Sequence, residues 1–210
     1  MLPEWGGCPK KFEYRRVNII EPAKKIFGPS LPKQKQYWTM SGKCANNDIL
    51  VPGCEFDQTL QSGLIESDQF FGVEINQETH NHNKNLPGNW INSDFLRAMK
   101  NTHSLDKFNP AIIHADLVCM PKAGAQTLAN IIVFLSEINI SPLLVVGNFI
   151  LRTARIRGKK SGDTLIDELS RYKSFTNVLN KWNWSEELYE YDGTGNRSTT
   201  TMGSIQFLIK

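Results

Sequence analysis

No stretch of this 210-residue sequence approaches 18 consecutive apolar residues, so a membrane-spanning helix is excluded. Cysteine is scarce as well. Cys8, Cys44, Cys54 and Cys119 are widely spaced and form no Cys-x-x-Cys pair. That spacing argues against a disulfide framework or a zinc site, and for a reducing, cytoplasmic setting. A secretory leader is not expected either: Glu4 and Trp5 stand where a basic n-region belongs, and no apolar h-region follows. Internal repeats and low-complexity tracts are missing. What the chain does have is 40% hydrophobic residues, too many for a disordered polymer and enough for one domain with an extension.

The net charge of +3 is small, but it is unevenly placed. Residues 1–36 hold eight basic side chains (Lys10, Lys11, Arg15, Arg16, Lys24, Lys25, Lys33, Lys35) against three acidic ones (Glu4, Glu13, Glu21). The rest of the chain holds 16 basic against 18 acidic residues. Within it lies a second basic cluster: Arg152, Arg155, Arg157, Lys159 and Lys160. Two basic segments on a near-neutral body point to a polyanionic partner such as a nucleic acid; solvated Lys and Arg are the plain alternative. No membrane partner is expected.

Five of the ten prolines fall in residues 1–36, where only 22–27 reads as a short helix. Residues 1–44 are therefore expected to form a basic, Pro-rich arm or lid, and residues 45–210 an α/β domain. In the body, strands are expected at 48–51 (closed by Pro52-Gly53), 70–75, 89–91, 110–118 and 142–150, and helices at 58–65, 94–100 and 123–138. The helix at 123–138 places Leu128, Ile131, Leu135 and Ile138 at helical spacing; it suits a core or a dimer face. Asp163 is a plausible N-cap for a further helix. Strands at 188–191 and 203–209 flank a turn-rich stretch and form an antiparallel hairpin. Strands alternating with helices imply a doubly wound, mostly parallel sheet, in which ligands bind beyond the carboxyl ends of the strands.

Those ends carry a recurring acid: Glu74 after the second strand, Asp94 after the third, Asp116 after the fourth. Each also has a bland reading as the cap of the next helix, and Asp94 suits that role well. With the Pro52-Gly53-Cys54-Glu55 turn and the closing antiparallel pair, residues 45–210 resemble the class I, Rossmann-like S-adenosylmethionine-dependent methyltransferases. The resemblance implies S-adenosylmethionine as cofactor, held by Pro52, Gly53 and Glu55 at the turn, Glu74 at the ribose and Asp94 at the adenine, with Asp116 at the methionine end. Of the acidic-x-x-x-Gly-x-Gly turn usual in the family, only Gly53 is present. The connection 76–89 is almost wholly polar and a poor crossover helix.

Catalysis is expected from Asp116 and Asn148, with the substrate, preferably a nucleic acid, held by Lys43, Arg152, Arg155, Arg157, Lys159 and Lys160. Lys43 and Asp116 match two members of the Lys-Asp-Lys-Glu tetrad of ribose 2′-O-methyltransferases, but Asn148 and Thr201 stand near the other two places, so that chemistry is not assigned. The alternative is a non-catalytic nucleic-acid-binding or assembly protein that keeps a degenerate form of the fold. His80 and His82 read as a solvated loop and not as a metal site, since short-spaced partners are missing. His114, inside an apolar strand, reads as a satisfied core histidine before a catalytic base. Tyr37, Trp38, Trp182 and Trp184 suit either base stacking or packing.

Overall fold

A computed structural model describes residues 9–46, 48–117, 121–138, 140–151, 175–177, 183–192 and 199–209. The chain divides into two compact units, Met1–His114 and Ala115–Lys210. The main sheet has seven strands in the order β5-β4-β1-β6-β7-β9-β8, where β1 is Gln36–Met40, β4 Phe70–Glu74, β5 Asn89–Asn92, β6 Pro110–Asp116, β7 Leu143–Leu151, β8 Asn183–Asp192 and β9 Thr199–Ile209. A separate hairpin pairs β2 (Ala45–Asn46) with β3 (Ile49–Leu50).

The first unit opens with α1 (Pro9–Arg15), a π-helical turn (Arg16–Ile20) and α2 (Glu21–Phe27), which agrees with the short helix read at 22–27. Strands β4 and β6 both pair in parallel with β1, and β5 pairs in parallel with β4. Helices α3 (Glu55–Gln61), α4 (Gln77–Asn83) and α5 (Phe95–Ser104) form the connections.

The first sheet strand is not where the sequence pointed. Residues 49–50, read as part of that strand, belong to the small hairpin, and Ile49 is 72% exposed. The strand is instead Gln36–Met40, which lies inside the segment assigned to the arm. Its residues are strand formers, Tyr, Trp and Thr, but only five long and preceded by prolines and lysines. Tyr37 and Trp38 are both fully buried, on opposite faces of the sheet as the period of two requires. Tyr37 stacks on Phe70 with ring centroids 5.7 Å apart, and Phe56 and Trp90 close round the same phenyl ring. Trp38 stacks on Phe71 at 4.7 Å and meets Phe95 and Phe108 edge-on. Neither aromatic is available for base stacking.

In the second unit, α6 (Pro121–Glu137) buries Leu128, Ile131, Ile132 and Leu135. That favours core over a dimer face for this side of the helix. Strand β7 is buried from Leu143 to Phe149, as a near-continuous apolar run in a covered sheet should be. It pairs antiparallel with β9, and β9 pairs antiparallel with β8. The terminal hairpin is as expected, with longer strands. The helix expected after Asp163 falls almost wholly outside the described residues.

Gly72 in β4 shows how tightly the first unit is built. A Cβ there would lie 2.5 Å from the Trp90 ring and 3.0 Å from Ser41 Oγ. Gly72→Ala is expected to cost about 1–3 kcal/mol in a urea titration, the usual range for overpacking. Gly147→Ala, whose nearest neighbour would be the Leu128 side chain at 2.6 Å, is expected to cost less, because the end of that side chain can turn aside.

Candidate functional site

The chain runs from β1 to β4 to β5 in one direction and then returns to β6 on the other side of β1. The carboxyl end of β1 is therefore the point where strand order reverses, the place where doubly wound sheets bind ligands. The residues there are Ser41, Gly42, Lys43 and Cys44, not the Pro52-Gly53 turn. Ser41 extends the ladder, its N–H donating to the Val73 carbonyl at 3.0 Å. Its hydroxyl is buried and has no hydrogen-bond partner among the described residues. Gly42 is exposed, with open space where a Cβ would stand. Lys43 Nζ donates to Asn46 Oδ1 at 3.2 Å.

This loop is fixed from α4. The helix forms despite its polarity because the Asn76 side chain caps it, accepting from the Thr79 N–H at 3.0 Å. Its last residue, Asn83, is fully buried. Asn83 Oδ1 accepts from the Cys44 and Ala45 N–H groups at 2.8 and 3.1 Å, and Nδ2 donates to the Gly42 carbonyl at 2.9 Å. His80 and His82 thus lie on a helix and not in a loop, and no group of metal-binding side chains occurs among the described residues.

Glu74 ends β4, beside β1. Its Oε1 accepts from the Asn76 N–H at 2.7 Å. Next to it Ile75 is 74% exposed, an apolar side chain left in the open at the sheet edge. Asn92, opposite Glu74 on β5, donates to the Glu74 carbonyl at 2.8 Å. Asp94 caps α5, accepting from the Arg97 N–H at 3.0 Å. Glu74 and Asp94 therefore follow neighbouring strands at the same edge. Ile75, Ser41 and Asn83 were missed in the sequence because an exposed isoleucine, a serine and an asparagine carry no pattern of their own.

The other turn residues do different work. Pro52 is exposed. The Gly53 N–H donates to Asp57 Oδ2 at 2.7 Å and its carbonyl accepts from Arg15 at 3.2 Å, so both backbone groups are engaged. Cys54 caps α3. Glu55 is 4% exposed and surrounded: the Tyr37 hydroxyl donates to Oε1 at 2.6 Å, His114 Nδ1 lies 2.7 Å from the same oxygen, and Arg15 Nε lies 3.6 Å from Oε2. Burial alone would raise this carboxyl, but the His114 charge and hydrogen bond, the Arg15 charge and the Tyr37 hydroxyl outweigh it and hold it at about 2. Burial, followed by the Glu55 charge, pushes the Tyr37 hydroxyl well up. His114 is thus a paired core residue, as its apolar strand suggested.

Some of the arm's basic residues are engaged within the protein. Arg15 is buried against α3, Arg16 pairs with Glu13 and Glu21, Lys24 donates to the Ser62 carbonyl and Lys35 to Asn109. In the second unit, Asn148 Nδ2 lies 3.5 Å from Asp116 Oδ1, a long contact that brings the two catalytic candidates together. Arg152, Arg155, Arg157, Lys159 and Lys160 lie outside the described residues, as does Trp182. Trp184 is 41% exposed on β8. No helix among the described residues is long and apolar enough to cross a membrane.

No protein-family model matches the sequence, and no curated protein matches it. Solved structures do. The O-methyltransferase from Bacillus cereus in complex with SAH superposes with a TM-score of 0.54 at 13% identity, over 100% of this chain and 84% of that one. The plantazolicin methyltransferase BamL, in complex with a triazolic desmethylPZN analog and SAH, gives 0.50 at 9% identity, over 96% and 86%. The fold is the class I, Rossmann-like methyltransferase fold.

The Glu55 cluster makes a pH prediction. Its folded pKa is depressed, so its stabilisation is complete above the unfolded value of about 4.3 and is lost as pH falls towards about 2. Thermal unfolding of the wild type against Glu55→Gln should show a gap that is widest above about pH 5 and narrows steadily towards pH 2. A gap that does not change with pH would contradict the assignment.

Proposed function

We propose that the chain transfers a methyl group from S-adenosylmethionine, held at the carboxyl ends of β1, β4 and β5. The observation that carries this reading is Glu74, a carboxylate ending the strand next to the switch point of this fold. One of its oxygens is oriented by the Asn76 amide, and the other takes no donor among the described residues. A carboxylate so placed accepts hydrogen bonds from two ribose hydroxyls. Exposed Ile75 beside it offers an apolar surface to a flat base, and Asp94 with Asn92 offers polar groups to its edge. The Ser41 hydroxyl, which has no partner among the described residues, and the open Gly42 backbone fit the amino-acid end of the same cofactor. Bound there, S-adenosylmethionine supplies an electrophilic methyl group on a sulfonium. What the chain itself contributes is alignment, which carries much of the rate in such transfers. Pro52 and Glu55 leave the cofactor-binding set, Glu55 because its oxygens are taken up by Tyr37, His114 and Arg15. Gly53 leaves it too.

For the methyl acceptor, Asp116 and Asn148 of the second unit are the candidates, and Lys43 is one at the loop after β1. A nucleic-acid acceptor rests on the cluster at Arg152, Arg155, Arg157, Lys159 and Lys160, with the lysines of the arm as a second basic segment; Arg15 and Arg16 of the arm are in ion pairs with carboxylates. Replacing Arg152, Arg155 and Arg157 by Ala should weaken acceptor binding and leave cofactor affinity intact.

Calorimetric titration with S-adenosylmethionine and S-adenosylhomocysteine tests the cofactor reading. The wild type should bind both and gain thermal stability. Glu74→Ala should lose about ten- to a hundred-fold in affinity, the range for a hydrogen bond to a charged group. A folded wild type that gives neither heat nor stabilisation belongs to the non-catalytic alternative.

A further inference from the structure

We infer that Asn83 is the positioning residue of the cofactor-facing loop, and that its one buried amide does here what a glycine-rich turn does elsewhere. The inference rests on the cofactor reading above. A glycine-rich turn brings backbone N–H groups close to a ligand because it has no side chains to hold it off. Here the loop after β1 carries Ser41, Lys43 and Cys44 around a single glycine, Gly42. Its path is set instead by three hydrogen bonds to one side chain, with Asn83 Oδ1 taking two successive amides and Nδ2 giving to Gly42.

Both ends of the loop are then tied. Ser41 is held by the β4 carbonyl of Val73, and the Val51 N–H donates to the Cys44 carbonyl at 2.8 Å. What lies between is Gly42 and Lys43, exposed and half-exposed. The rest of α4 supports this role: it is polar, and of its residues only Asn83 is buried. A helix that buries one asparagine and little else is placed by that asparagine. Because the helix starts three residues after Glu74, the same element links the proposed ribose carboxylate to the loop. Asn76, which orients Glu74, caps its first turn, and Asn83, which orients the loop, ends its last.

The test is the affinity of folded protein for S-adenosylhomocysteine. Asn83→Ala should lower it at least ten-fold, measured well below the variant's own unfolding temperature. Asn83→Asp keeps the acceptor for Cys44 and Ala45 but loses the donor to Gly42, and should fall between. Without ligand, the Cys44 and Ala45 amides should exchange hydrogen faster in Asn83→Ala than in the wild type. A merely structural asparagine would lower the unfolding temperature and leave the affinity of the folded molecules within two-fold, and that outcome overturns the inference. If Asn83→Ala does not fold, Asn83→Asp decides alone, with wild-type affinity counting against. Binding by the wild type with unchanged variants defeats this inference only; no binding by the wild type defeats the cofactor reading and this with it.

Discussion

The first unit is organised around one buried carboxylate. Glu55 sits at the start of α3 with almost no solvent, and an unpaired charge there would cost several kcal/mol. It is tolerated because three elements bring partners: β1 supplies the Tyr37 hydroxyl, β6 the His114 ring and α1 the Arg15 guanidinium. Each of those elements is placed partly by that meeting. The arm does not hang free of the sheet; it is docked through Arg15, which also takes the Gly53 carbonyl. The Pro52-Gly53 turn is therefore a footing of the arm.

With the arm docked and β1 at the switch point, the carboxyl edge of β1, β4 and β5 has a simple composition. Two short loops and two strand ends carry Ser41, Gly42, Glu74, Ile75 and Asp94, and α4 spans from one side of this edge to the other. Aromatic packing on both faces of β1 leaves the strand little room to shift, because Tyr37 and Trp38 each lie within a ring cluster. Rigid strands carrying small polar loops are a suitable platform for alignment. The same packing accounts for Gly72, whose missing side chain makes room for Trp90.

Much of this was legible in the sequence, in proportion to how strongly each element was patterned. The apolar runs of β6 and β7, the stripe of α6 and the terminal hairpin were read nearly in place. Glu74 ends its strand and Asp94 follows the next one as expected, because an acid after a strand is a local pattern. The sheet's first strand was not found, since Gln36–Met40 is short and aromatic in a Pro-rich context, while 48–51 ends in a Pro-Gly pair that imitates a strand end. Reading the first strand at 48–51 put the expected glycine turn at Gly53, next to Glu55, whereas the glycine that follows the observed first strand is Gly42. The contacts of Asn83 were out of reach for another reason. Its three partners lie about 40 residues away in sequence, and a polar helix held by a single buried amide has no hydrophobic period to reveal it.

The most direct measurement is a crystal structure of the protein grown with S-adenosylhomocysteine. The account predicts density for the adenosyl group at the carboxyl ends of β1, β4 and β5, with the ribose hydroxyls on the Glu74 carboxylate and the amino-acid end against Ser41 and Gly42. Density at the Pro52-Gly53 turn, or none at that edge under saturating ligand, would contradict it.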